Sequence, residues 1–63
     1  GRQILDALQS LPPAQRECLE MFYFQQRSYR QICRLRNCSY KEVKSHLQNG
    51  RRNLRRMLQA DAV

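Results

Sequence analysis

The stretch Ser28-Tyr29-Arg30-Gln31-Ile32-Cys33-Arg34-Leu35-Arg36-Asn37-Cys38-Ser39-Tyr40-Lys41-Glu42-Val43-Lys44-Ser45-His46-Leu47 decides the fold. Ser28 stands three residues before Gln31, and Ser39 three residues before Glu42. Each pair has the form of a capping box, in which a serine hydroxyl accepts from the third backbone N–H while the Gln or Glu side chain reaches back to the serine N–H. Between the boxes, Asn37 is a residue tolerated in the left-handed conformation, and it stands where a short helix through Ile32, Cys33 and Leu35 should stop. The spacing therefore predicts two capped helices joined by a turn of about three residues. That is the outline of a helix-turn-helix, whose second helix enters the major groove of DNA. An ordinary corner of a helical bundle has the same outline, so the flanking residues must distinguish the two.

Downstream, a helix is predicted from Tyr40 to about Leu58. Val43, Leu47, Gly50, Leu54 and Met57 or Leu58 form one stripe along it, and Lys41, Ser45, Gln48, Asn49, Arg52, Arg55 and Arg56 lie opposite. Its first turns carry Lys44, Ser45, Gln48 and Asn49, which have the donors and acceptors that tell base edges apart. Arginines 51, 52, 55 and 56 follow. A straight helix tracks the major groove only briefly, so these later cations are placed for phosphates, Arg51 and Arg52 foremost.

Upstream, Ile4, Leu5, Leu8 and Leu11 recur at helical spacing before Pro12-Pro13, predicting a first helix closed by the prolines. Pro13 suits the opening position of a second helix, which runs from Ala14 to about Phe24. Ala14, Cys18, Met21 and Phe22 share a face of it, widened by Leu19, Tyr23 and Phe24. That arc is broader than one neighbour needs. Phe22 is assigned to the core, and Tyr23 is the better surface candidate.

The 63 residues allow one small domain, read as residues 1–63, with no room for a buried catalytic cavity. A formal net charge of +7 favours polyanions, nucleic acid before an anionic membrane or an acidic protein. The acids are Asp6, Glu17, Glu20, Glu42 and Asp61, and no nucleophile stands beside a base; the chain is not read as an enzyme, and no small-molecule substrate or cofactor is expected. Cys18, Cys33 and Cys38 are an odd number with poor spacing for zinc, and Gly1 opens on no signal-peptide pattern. Free thiols, no metal and a reducing cytoplasm are expected, with Cys33 as the small residue of close helix packing. His46 is read as packing or touching phosphate. No apolar run reaches the length of a membrane span, so no membrane partner is expected.

Several runs together resemble region 4 of extracytoplasmic-function (ECF) sigma factors. They are Leu11-Pro12-Pro13-Ala14-Gln15-Arg16, Leu19 to Phe24, Ser28-Tyr29-Arg30-Gln31-Ile32 and Val43-Lys44-Ser45-His46-Leu47-Gln48-Asn49-Gly50-Arg51-Arg52-Asn53-Leu54. The resemblance implies an all-α, four-helix domain, winged-helix-like but without a wing, and a C-terminal piece of a longer factor. It also implies binding of the promoter −35 element and docking to the flap of the RNA polymerase β subunit, with an anti-sigma factor as a further partner. Carried over by position, base reading falls on Lys44, Ser45, Gln48 and Asn49, and phosphate contact on Arg30, Lys41, Arg51 and Arg52; the resemblance also makes Leu19, Tyr23 and Phe24 candidates for the groove that takes the polymerase helix.

The chain departs from the family pattern at informative places. Glu42 stands where many members have threonine or serine, and should point at the helix start rather than at a phosphate. Arg36 occupies a position usually apolar, and Asn37 replaces a glycine or acid. Gln48 and Asn49 stand where some members have an aromatic and an arginine; amides favour adenine. Three rivals are an output domain of a LuxR-type response regulator, a module held mainly by an anti-sigma protein, and a membrane-binding basic helix. Leu11-Pro12 argues against the first, and the third is disfavoured because the core is expected to need the whole apolar stripe.

Overall fold

The computed structural model describes residues 2–61; residues 1, 62 and 63, which the predicted domain includes, lie outside the described part. Four helices follow one another: α1 (Arg2–Gln9), α2 (Pro13–Leu19, continued by a π-helical turn over Glu20–Phe24), α3 (Tyr29–Arg36) and α4 (Tyr40–Asp61). No strand occurs among the described residues. The predicted all-α, four-helix architecture is the one observed. At about 1.5 Å per residue, α4 alone accounts for most of the 38 Å long dimension, and the other helices pack along it.

Local chemistry sets most of the boundaries. α1 ends one turn before the prolines; the Ser10 N–H donates to the Asp6 and Ala7 carbonyls and the Leu11 N–H to that of Leu8. Pro12 is extended at φ −53°, ψ 142°, and Pro13 opens α2, where its missing N–H leaves nothing unpaired. Both capping boxes form in full. The Gln31 N–H donates to Ser28 Oγ at 3.2 Å and the Ser28 N–H to Gln31 Oε1 at 2.9 Å. At α4 the Glu42 N–H donates to Ser39 Oγ at 3.1 Å and the Ser39 N–H to Glu42 Oε1 at 3.3 Å. Glu42 thus points at the helix start, as its position required.

α3 closes at Asn37, which is left-handed at φ 53°, ψ 52°. The Cys38 N–H donates to the Cys33 carbonyl at 3.0 Å and the Asn37 N–H to the Arg34 carbonyl at 3.3 Å, the paired bonds of a Schellman motif. α2 ends differently. Its helix reaches Phe24 as predicted, but the last turn widens: the Gln25 N–H reaches the Glu20 carbonyl at 3.1 Å and the Arg27 N–H that of Met21 at 2.9 Å. Gln26 takes φ 55°, a conformation that carries a steric penalty for a residue with a Cβ.

The core is Leu8, Leu11, Cys18, Leu19, Ile32, Val43 and Leu47. Ile32, Val43, Leu47 and Cys18 are wholly buried and come from three helices, so α2, α3 and the first half of α4 meet around them. Gly50 marks the closest approach of α4 to α2: a Cβ there would lie 2.9 Å from Leu19 Cδ1 and 3.4 Å from Gln15 Cβ. Two expectations shift. The fully buried thiol is Cys18, while Cys33 is only half-buried. Of the apolar residues of α1, Leu8 is buried, but Ile4 and Leu5 stay 44% and 56% exposed, because α1 has only one flank against the rest of the domain.

Candidate nucleic-acid interface

α4 is held in place from three sides. Its inner stripe begins with Val43, Leu47 and Gly50, all buried, and Asn53 Nδ2 donates to Gln15 Oε1 of α2 at 3.0 Å. A row of rings fixes its start: Tyr40 packs on Tyr29 at 5.4 Å between centroids, Tyr29 edge-on to Phe22 at 5.4 Å, and Phe22 edge-on to Tyr23 at 4.9 Å. Edge-to-face geometry sets the positive ring edge against the negative face and adds to the apolar contact. Phe22, expected in the core, is half-buried and packs against it as the centre of this row.

The turn is braced as well. Arg36 at the end of α3 donates from its guanidinium to the Glu17 carboxylate of α2. The helix-turn-helix position usually filled by an apolar side chain is thus occupied by an ion pair, although the Arg36 Nε is buried without a partner. Burial pushes the Cys18 and Cys38 thiols up from their ordinary range, with nearby Glu42 adding to the effect at Cys38. Both are thiols rather than thiolates at neutral pH. Among the described residues, no group of three or more His, Cys, Asp or Glu side chains could hold a metal ion.

On this frame Lys41, Lys44, Ser45 and Gln48 are exposed over the first turns of α4, with Arg52 exposed one turn on. Arg30 is exposed in the first turn of α3. Asn49 sits at the flank of the face, half-buried, its Oδ1 accepting from Arg52 Nη2 at 3.0 Å. His46 is half-buried on the edge of the stripe.

Arg51 leaves the outer face. Its Nη1 donates to the Tyr23 hydroxyl at 3.0 Å, and this bond, reinforced by the nearby Tyr29 hydroxyl, holds the guanidinium above its already high proton affinity. The signal was present in the sequence. Arg51 is four residues after Leu47, three before Leu54 and seven before Leu58, spacings that put it beside the apolar stripe. What no spacing could show is its partner, 28 residues away.

Tyr23 belongs to the wall of an open groove of about 650 Å³. Ile4 and Leu8 of α1, Phe24 of the π-helical turn, and Leu54 and Leu58 of α4 line it, with Arg51 and Arg55 among them. The three sequence candidates are brought together here but not equally. Leu19 is 3% exposed and is core as much as floor, whereas Tyr23 and Phe24 are 50% and 61% exposed. Leu54, Met57 and Leu58 are only half-buried. The core therefore does not use the whole stripe of α4, contrary to expectation; its distal part faces the groove.

Two capped helices at a tight turn, the second carrying an exposed basic and amide face, define a helix-turn-helix DNA-binding domain. A family model described as Sigma-70, region 4, matches residues 1–54, and the chain belongs to that family. Region 4 is a non-catalytic DNA-binding domain of sigma factors, which act with RNA polymerase in transcription initiation. No curated protein and no solved structure matches the chain. No helix among the described residues is long and apolar enough to cross a membrane.

Proposed function

We propose that this domain is region 4 of an ECF sigma factor, working in the cytoplasm, and that it reads the promoter −35 element with the start of α4. The observation that carries this reading is the exposure of Lys44, Ser45 and Gln48 on the first turns of a helix whose N-terminus is fixed by a full capping box. Asn49 joins them at the flank. Base edges in the major groove present fixed donor and acceptor patterns, and rigid side chains of this kind can match them. Arg30, Lys41 and Arg52 are the phosphate contacts, setting register while the +7 charge speeds encounter. The groove of Tyr23 and Phe24 takes the flap of the polymerase β subunit, as an apolar groove takes an amphipathic helix. The sigma family match favours this over the output domain of a response regulator.

Selection from randomised duplexes tests the assignment. Alanine at Lys44, Ser45, Gln48 and Asn49 should change or erase the selected sequence, while Arg52→Ala should weaken all sequences alike and lower the salt slope by about one unit. An unchanged selected sequence in the fourfold variant would falsify the base-reading role.

A further inference from the structure

The groove reading above leaves open what kind of helix the groove selects, and the next step rests on that reading. Apolar walls alone do not choose a partner. The charged side chains lining the groove are Arg51 and Arg55, both cationic. We infer that the groove accepts an amphipathic helix presenting a carboxylate beside its apolar anchors, and that this carboxylate takes Arg51 over from Tyr23.

The reason is what happens to Arg51 when the groove is covered. Arg51 is already half-buried along its length, and its guanidinium donates to a neutral phenol at 3.0 Å. A docked helix removes more of its water, and a guanidinium that loses water without gaining an anion is left at a penalty. A carboxylate accepts two parallel N–H bonds from the guanidinium fork and binds roughly twice as strongly as a neutral acceptor. Tyr23 forms a wall of the same groove, so a helix seated there meets the pair together. Tyr23 thus holds the cation at the groove until an acid arrives. A second copy of this chain fits poorly, since it would bring a basic α4, with arginines at 51, 52, 55 and 56, toward the same cations.

A displayed library of helical peptides tests this, with leucines fixed at i, i+4 and i+7 and the remaining positions randomised, selected on the 63-residue chain and on its Arg51→Gln variant. Wild type should enrich Asp or Glu at one fixed position next to the leucines. Arg51→Gln should keep the leucine dependence and lose that enrichment. Tyr23→Phe, which removes the competing hydroxyl, should bind the selected acidic peptides several-fold tighter, a larger gain than for a peptide with that acid replaced by its amide. Neutral or basic residues at that position, an enrichment that survives Arg51→Gln, or weaker binding by Tyr23→Phe would each overturn the carboxylate exchange. If no selected peptide loses binding to a Phe24→Asp variant, the groove reading itself fails as well.

Discussion

The half of the molecule around the helix-turn-helix and the half around the groove are built by different means. In the first, both helix starts carry complete capping boxes, the intervening helix ends in a Schellman motif, and Ile32, Val43 and Leu47 are sealed from solvent. In the second, α2 ends in a widened turn with a left-handed glutamine, and Ile4, Tyr23 and Phe24 remain exposed. The contrast separates a part that completes itself from a part that leaves apolar side chains exposed. A reader of base edges must be rigid before it meets DNA, because side chains held in place lose less entropy on binding. A docking groove can stay uncovered until its partner arrives.

The largest difference should come from truncating one apolar side chain in each half. Leu47→Ala removes a wholly buried leucine and should lower stability by about 2–5 kcal/mol, enough to unfold much of so small a domain in a chemical denaturation experiment. Phe24→Ala should change the same midpoint by no more than about 0.5 kcal/mol, since its ring is mostly in solvent. Equal losses would mean that the groove is core in disguise. A smaller effect comes from the caps. Ser39→Ala should remove about 1 kcal/mol and, on the proposed function, reduce DNA affinity more than Ser28→Ala, because only the first frays the start of α4; amide exchange there would report it directly.

The finest difference lies between the two left-handed residues. Asn37→Gly should leave thermal stability nearly unchanged, since asparagine already tolerates that conformation. Gln26→Gly should raise stability by a few tenths of a kcal/mol, the relief of Cβ strain outweighing the added freedom of the unfolded chain. If both variants behaved alike, the α2 end would be as locally specified as the α3 end.

Those two turns also mark how far the sequence could be read. The capping boxes, the Asn37 stop, the proline-opened α2 and the fully buried residues of α4 depend on neighbours within about four residues, where spacing carries the physics. Lys41, Lys44, Ser45 and Gln48 were legible as an exposed face for the same reason. The Arg36–Glu17 pair was not, because an arginine at an apolar position announces only that something must receive it. Leu19 was read as groove when it is mostly core, because the side of α2 that packs on Gly50 depends on the approach of another helix.

Sequence by itself thus determined a four-helix chain with a capped turn and an exposed basic, amide-bearing face on α4, since helix ends and helix faces follow from local hydrogen bonding and a fixed period. Tertiary structure alone decided that Arg51 turns from the exposed basic face to Tyr23, that the distal stripe of α4 opens into a groove, and that the end of α2 widens to form its wall. The first two join residues 28 or more positions apart. They depend on how helices cross, and the period within one helix says nothing about that.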